Sequence, residues 1–299
     1  MKRYRITALL LCTLPVFLAS CLKQGNMNSD PANSNNVLEF ANTGDNLAAA
    51  ASTYPGFYSD LGVLTSGNST QFNINVSYSG AGTAPDDITV NLAIDTATLS
   101  TYNTDNGTAY VTPPTAIFTF PSTVVIKKGT SMTQVKVTVS NNSSFSYSVN
   151  YALAVKIASA STGIISKTFG KAVYAFGVRN AYDGHYSFKG YTLRAGDAAK
   201  TGNFTYSDGL DLVTAGGNIV QFGILQVWAD LTGVGIGYPI LTVNTDNTVT
   251  SSSSGGAYNA PGYTSRYVPS EKRFYISYSW GAGPAARLAT DTLTFVKAR

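Results

Sequence analysis

The sequence contains few of the side chains that carry out catalysis. Its 299 residues include two cysteines and one histidine, and charged residues make up 12% of the chain. Glutamate occurs only at Glu39 and Glu271, which excludes a bundle of long helices, because the exposed faces of such helices need Glu, Lys and Arg. The hydrophobic share of 44% is too high for a disordered chain.

Both cysteines lie near the start of the chain, in a segment typical of secretion signals. Basic residues at Lys2, Arg3 and Arg5 precede an apolar run over 6–18, which is shorter than the roughly 20 residues needed to cross a bilayer. The run ends in Leu-Ala-Ser-Cys at Cys21, which resembles a bacterial lipobox. We therefore predict a signal peptide over 1–20 and a lipid on Cys21; the alternative is an ordinary signal peptide with a chance cysteine.

Removal of this signal changes what chemistry the mature chain can carry. Cys12 would be discarded and Cys21 acylated, which leaves no thiol for catalysis, zinc binding or an iron–sulfur cluster. Loss of Lys2, Arg3 and Arg5 from 20 basic residues brings them close to the 16 acidic ones, so no basic surface remains for nucleic acid. Polar residues over 22–36 predict a flexible tether between the lipid and the fold.

Beyond the tether, the dominant hydrophobic period is two, which is typical of half-buried strands. Phe72, Ile74 and Val76 alternate with polar residues, and turn signals such as Asn106-Gly107 separate such segments. One short helix is predicted over 96–103, and the strands predicted in the second half include 202–206, 210–214, 218–227 and 273–280. We predict an all-β protein with a sandwich over 37–179 and a second β unit, either a sandwich or a small barrel, over 180–299.

Several segments also carry a family resemblance. The segments at 86–90, 97–103, 124–129 and 151–157 occur in an order that resembles the immunoglobulin-like N-terminal domain of Bacteroidota glycan-utilisation lipoproteins. The segments at 182–186, 274–280 and 290–294, together with Arg287, look like the lipocalin-like C-terminal domain often joined to it. The resemblance implies an immunoglobulin-like β-sandwich followed by a lipocalin-like antiparallel β-barrel.

The same resemblance implies a location and a class of role. It implies an accessory lipoprotein of the starch-utilisation (Sus) type, anchored in outer-membrane lipid through Cys21 and more often on the cell surface than on the periplasmic face. The implied partners are a glycan and a Sus-type transporter complex. The motifs mark fold and not chemistry, so the resemblance implies no binding residues.

Aromatic side chains are the candidates for sugar contacts, because aromatic faces cover the C–H faces of pyranose rings. Trp228 lies near a loop and Trp280 ends a strand, and the apolar period favours core packing for both over ligand contact. Tyr258 and Tyr263 are predicted in a loop rich in Gly, Asn and Pro, together with Arg266. These five residues are the predicted ligand-binding set.

Catalytic and metal sites are not predicted. His185, the single histidine, falls on the polar face of its strand and is predicted to be a solvated surface residue. Asp208 with Asp211, and Asp86 with Asp87, are possible carboxylate pairs, but Asp residues in turns most often accept backbone N–H groups. No calcium loop of twelve residues is present, and no cofactor is expected.

These observations predict a non-catalytic lipoprotein that binds polysaccharide or oligosaccharide as an accessory of glycan uptake. In this hypothesis the first unit is a spacer and the second offers the ligand face. The alternatives are a structural or adhesive subunit of fimbrial type, binding of a small apolar ligand inside the C-terminal barrel, and, last, an enzyme.

Overall fold

The computed structural model describes residues 35–41, 44–80, 82–282 and 286–299. Two sheets are built from residues 37–179 and a third from residues 184–297. The predicted signal peptide, Cys21 and nearly all of the tether lie outside the described residues. Within those residues, no helix has the length and apolar character needed to cross a membrane.

Residues 37–179 form a sandwich of two five-stranded sheets. The first sheet has the strand order β5-β7-β3-β1-β9, built from Phe118–Thr119, Met132–Ser140, Ser69–Ser79, Val37–Ala41 and Ile164–Ile165. The second has the order β2-β10-β8-β4-β6, built from Gly56–Val63, Lys171–Arg179, Tyr151–Ala160, Ile88–Ile94 and Thr123–Ile126. Side chains of both sheets share one apolar core, and the predicted alternation is confirmed at Phe72, Ile74 and Val76, all of which are buried.

The predicted short helix is also confirmed. Helix α1 spans Thr96–Asn106, begins at the side-chain cap Asp95 and ends at Gly107 in the left-handed region. Its buried Leu99 and Tyr102 pack against small alanines on the outer face of β8 and β10. This contact explains why the first half of β8 is buried on both faces.

Residues 184–297 form a closed antiparallel barrel. Its strands are β11 Gly184–Arg194, β12 Gly202–Thr214, β13 Ile219–Phe222, β14 Ile240–Val243, β15 Val249–Ser252, β16 Tyr258–Asn259, β17 Arg266–Val268, β18 Arg273–Trp280 and β19 Arg287–Lys297. Strand β16 pairs with both β15 and β18, which closes eight strands into a ring, and β17 covers another part of the same edge of β18. The predicted all-β architecture is therefore confirmed.

The barrel differs from the sequence prediction at two places. Segments 202–206 and 210–214, predicted as separate strands, form one strand because Gly209, at a φ of 63°, lets the chain continue through a bulge. The strand predicted over 218–227 ends at Phe222, where the chain leaves the sheet for a hairpin that carries Trp228. Both differences arise from local backbone geometry that hydrophobic periodicity does not report.

Candidate functional site

The barrel has one end next to the sandwich and one end far from it. Strand β11 begins at Gly184, just after the sandwich, and ends at Arg194, roughly 33 Å further along the strand. Strand β18 ends at Trp280 and β19 begins at Arg287 beside that same end. We call this end the distal mouth; it is lined by Arg194, Lys200, Trp228, Thr232, Gly233, Val234, Gly235, Ile236, Gly255, Trp280, Gly281 and Arg287.

The distal mouth holds an open depression of about 620 Å³. Two loops form one of its walls, and their close packing depends on Gly255, where a Cβ would lie 2.5 Å from the Cα of Ile236. Gly233, Gly235, Gly255 and Gly281 leave stretches of backbone at the surface of the depression. The wall therefore offers backbone polar groups in addition to its side chains.

Both tryptophans of the chain meet at the floor of this depression. Trp228 and Trp280 are 5% and 6% exposed, and their ring centroids lie 5.5 Å apart at an interplanar angle of 42°. The guanidinium of Arg194 lies over the ring of Trp228, 5.6 Å from its centroid. Core packing, which the apolar period favours, is thus what the structure shows for most of each ring, and contact with a ligand stays a prediction.

A tight hairpin holds Trp228 in place. Val227 bridges to Gly233, and the backbone N–H of Trp228 donates to the Thr232 carbonyl at 2.8 Å. Leu231 at the tip has a φ of 63°, an unusual conformation for a leucine. Asp230 accepts hydrogen bonds from the Lys200 ammonium at 2.9 Å and from Thr232, which lowers the pKa of its carboxyl to about 2.

A buried polar cluster lies directly beneath the tryptophans. Asp291 is fully buried, and its carboxyl lies 3.0 Å from the Tyr278 hydroxyl and 3.4 Å from the Gln226 amide nitrogen. The Tyr278 hydroxyl also lies 2.5 Å from the Gln226 carbonyl oxygen. Burial raises the pKa of Asp291 to about 8. Gly190 makes room for this carboxyl, since a Cβ there would lie 2.5 Å from the Asp291 Oδ1.

The hydrogen bonds of this cluster are complete only when Asp291 is protonated. Tyr278 has one hydroxyl proton and two acceptors within reach, the Gln226 carbonyl oxygen and the Asp291 carboxyl. If Asp291 keeps its proton it donates to Tyr278, Tyr278 donates to Gln226, and the Gln226 amide donates back to Asp291. Ionisation would leave one buried acceptor without a donor.

The structure separates the other three predicted ligand residues from the tryptophans. Tyr258 lies in β16 and Arg266 in β17, not in the loop that the sequence predicts, because both strands pair with β18. Tyr258 is 67% exposed, and the Arg266 guanidinium lies 4.7 Å from the Tyr275 ring centroid on the outer wall of the barrel. Tyr263 is half-buried between these strands. None of the three lines the distal mouth.

The acidic residues considered for catalysis are held by neighbouring side chains. Asp86 and Asp87 pair with Lys128 and Lys127 at 3.0 and 2.8 Å. In the barrel, Asp183 pairs with Arg299 at 3.1 Å and Asp211 with His185 at 2.8 Å, while Asp208 accepts a hydrogen bond from Ser207. His185 is thus partly buried by a cross-strand carboxylate, where the sequence predicts a solvated residue. Among the described residues, no cluster of His, Cys, Asp or Glu is arranged to hold a metal ion.

A second concave region lies where the sandwich meets the barrel. It consists of two adjoining depressions of about 470 and 650 Å³ that share Phe145, Ser146 and Tyr147. The first is also lined by Tyr58 and by Asp60, which pairs with Arg179. The second includes Gly217. We call this region the junction cleft.

Sequence reasoning missed the basic residues of the mouth and the buried acid below it. Arg194 and Arg287 lie opposite each other at the rim only because β11 and β19 pair in a particular register, which sequence alone does not fix. Asp291 leaves a readable signal, since it alternates with the buried Ala289 and Leu293 on the apolar face of β19. A charged residue at such a position predicts a buried polar cluster.

Comparison with known proteins places the fold. Residues 45–164 match a family model for an N-terminal domain. No curated protein matches the sequence at a significant level. A Bacteroides ovatus protein of unknown function is similar at a TM-score of 0.61 and 14% identity, over 88% of this chain and 95% of that one. Another, also from B. ovatus and of unknown function, has a TM-score of 0.50 and 16% identity, over 86% and 94%.

A third similar structure is an auxiliary nutrient binding protein from Bacteroides thetaiotaomicron. It has a TM-score of 0.46 and 16% identity, over 80% of this chain and 90% of that one. Its superposition is too loose to support a functional argument. The two B. ovatus structures show that the whole described chain adopts a fold that other proteins share.

Proposed function

We propose that this chain is a non-catalytic glycan-binding protein that holds its sugar at the distal mouth of the barrel. The observation that carries the proposal is the composition of the mouth. Two indole rings lie at the floor, three basic side chains lie around them, and exposed glycine backbone forms part of the wall. Apolar ring surface suits the C–H faces of a sugar, and guanidinium, ammonium and peptide groups suit its hydroxyls.

The depth of the mouth indicates modest affinity for a single sugar chain. Little of Trp228 and Trp280 reaches the depression, because the two rings pack on each other and Arg194 lies over Trp228. Contacts would therefore be shallow and largely polar, and such sites gain little free energy from apolar burial. Many anchored copies facing one polymer would gain strongly from avidity.

The pairing of the acidic residues supports a role without catalysis. Glycoside hydrolysis uses two carboxyl groups about 5 to 10 Å apart on either side of the scissile bond. Among the described residues that line the distal mouth, none carries a carboxyl group. Asp230, the nearest acid of its hairpin, is bound by Lys200.

Two alternatives find less support in the fold. An adhesive subunit that adds a strand to a neighbour needs a long open sheet edge. The barrel closes on itself and the edge strands β5 and β9 have two residues each, which leaves β2, with eight residues, as the one long edge of the described sandwich. A carrier of small apolar ligands needs an internal cavity. Large buried side chains, among them Tyr186, Phe188 and Phe274, fill the barrel interior.

We also propose that Cys21 is acylated and anchors the fold to the outer membrane, with the sandwich as the spacer. The motif around Cys21 supports this, as does the position of the mouth at the end of the barrel away from the sandwich. Mass spectrometry of the protein purified from a bacterial membrane should detect a diacylglyceryl group on Cys21. An unacylated mature N-terminus at a different residue would overturn the anchor and leave the binding site untouched.

Titration calorimetry against plant, fungal and host glycans tests the binding function. The protein would be the chain from residue 22 onward, which contains every residue that the structure describes. Gly235 lines the mouth and a Cβ there meets nothing within 4 Å, so Gly235→Tyr fills the depression without disturbing the core. Gly217→Tyr is the matched control, since Gly217 lines the junction cleft and its Cβ would make ordinary contacts at 3.6 Å.

We expect at least one glycan to bind the unaltered chain and the Gly217→Tyr variant, and to lose at least tenfold in affinity for Gly235→Tyr. Loss of binding in Gly217→Tyr alone would move the site to the junction cleft and refute the mouth. Silence across the whole panel would refute glycan binding.

A further inference from the structure

The charged residues that the structure describes at the distal mouth all carry the same sign. They are Arg194, Lys200 and Arg287. Arg194 lies 3.6 Å from Asp197 and Lys200 lies 2.9 Å from Asp230, and neither of these acids lines the depression. Within the described part of the chain, Arg287 has no carboxylate within 4.0 Å. The mouth therefore has an excess of positive charge.

The sheet register makes this arrangement unusual. Arg194 on β11 and Arg287 on β19 are directly paired residues, and Trp280 on β18 is the partner of Arg287 on its other side. Arg194 continues the inward-facing series of Phe188 and Thr192, which are buried, so both arginines belong to the inner face at the rim. Like charges directly opposite each other in an antiparallel pair are destabilising.

A ligand anion would remove that repulsion. Guanidinium groups bind carboxylates through two parallel N–H bonds, and two guanidinium groups on adjacent strands can approach one carboxylate from two sides. When Asp291 is protonated, the cluster below adds no opposing negative charge at the floor. Arg194 already lies over the Trp228 ring, which holds its guanidinium at the floor of the mouth.

We infer that the distal mouth selects glycans that contain uronic acid, and that Arg287 with Arg194 binds the sugar carboxylate. The inference rests on the proposed function, since it names the class of glycan that the same site accepts. Neutral glycans have no carboxylate to bind between the two arginines, so they bind more weakly.

The test compares acidic oligosaccharides with neutral counterparts of the same skeleton. Tetrasaccharides from polygalacturonate, alginate and hyaluronan are titrated into the chain from residue 22 onward, each beside its carboxyl-reduced form. At least one acidic probe is expected to bind ten times or more tightly than its reduced form. That preference should shrink several-fold between 50 and 500 mM NaCl, because the contact is ionic and partly solvent-exposed.

Three variants locate the effect. Arg287→Gln is expected to abolish the preference for the acidic probe, and Arg287→Lys to restore part of it, because lysine keeps the charge without the paired donors. Lys189→Gln removes the same charge from an exposed position on the outer face of β11 and should leave the preference intact.

The outcomes separate the two proposals. Equal binding of acidic and reduced probes, or an unchanged preference in Arg287→Gln, overturns the inference while glycan binding stands. Binding of neutral glycans from the wider panel, with no acidic probe bound, also overturns it. No binding of any probe or panel glycan overturns both.

Discussion

The buried carboxyl of Asp291 predicts that this protein becomes less stable as the pH rises through the neutral range. Burial raises the pKa of the group from 3.8 to about 8, so the native state holds the proton more tightly than the unfolded chain. Unfolding between these two pH values therefore releases a proton, and each pH unit lowers the free energy of unfolding by about 1.4 kcal/mol. Below about pH 4 both states hold the proton, and the stabilisation linked to Asp291 is fully present. By pH 8 the free energy of unfolding has fallen by at most about 5 kcal/mol.

Asp291→Asn isolates this effect from every other titrating group. The asparagine amide nitrogen can donate to the Tyr278 hydroxyl, and its oxygen can accept from the Gln226 amide, so the cycle of hydrogen bonds persists without a titrating proton. We expect the variant to match the unaltered protein near pH 4 and to exceed its free energy of unfolding by several kcal/mol at pH 8.

Urea unfolding at pH 5, 6, 7 and 8, followed by circular dichroism, measures the difference between the two proteins. Asp291→Ala serves as the control. It removes both hydrogen bonds and leaves a cavity, so its free energy of unfolding should lie below that of Asp291→Asn at every pH, while it also lacks the titrating proton. If the stability curves of the unaltered protein and Asp291→Asn run parallel across this range, Asp291 titrates normally in the folded state and the proposed hydrogen-bond cycle is wrong.

Three further substitutions test the packing and charge around the distal mouth. Gly190→Ala places a Cβ 2.5 Å from both the Asp291 Oδ1 and the Thr290 carbonyl oxygen, so it should lower the free energy of unfolding in urea by about 1–3 kcal/mol. Unaltered stability would mean that this wall of the barrel is loosely packed. Trp280→Ala removes a buried ring that packs on Trp228, so it should lower the free energy of unfolding by about 3–5 kcal/mol and shift the emission of Trp228 to longer wavelength. A small loss of stability without a shift would show that the Trp280 ring is solvated. Arg287→Gln relieves the repulsion with Arg194, so it should raise the free energy of unfolding by about 0.2–1 kcal/mol at low salt and by less at 0.5 M NaCl. A clear loss of stability would show that the arginine pair is already neutralised within the protein.

The fold was largely predictable because its signals are local and repeated. Alternation at Phe72, Ile74 and Val76 gives a half-buried strand whatever lies around it, and the bounds of Arg273–Trp280 agree with the prediction at both ends. Closure of the barrel was not predictable to the same degree. It depends on β16, a strand of two residues that forms only because it pairs with β15 on one side and with the more distant β18 on the other.

The candidate site was less predictable than the fold, for reasons of register. The tryptophans were found as rare aromatic residues, but their contact with each other joins a hairpin to the end of β18, and periodicity carries no information on such a contact. Tyr258 and Arg266 were grouped by closeness in sequence, and pairing with β18 places them on the outer wall instead. The charge of the mouth depends on the pairing of Arg194 with Arg287. Most of the barrel sequence lies between these two residues, so closeness in sequence does not reveal the contact.

Tryptophan emission gives the most direct measurement of where a sugar binds. The chain has only two tryptophans, and both lie at the floor of the distal mouth. Titration with the oligosaccharide that binds most tightly by calorimetry should produce a saturable change in emission with the same dissociation constant, together with lower quenching by acrylamide. Binding that is clear by calorimetry but leaves both emission and quenching unchanged would place the sugar elsewhere and contradict the account.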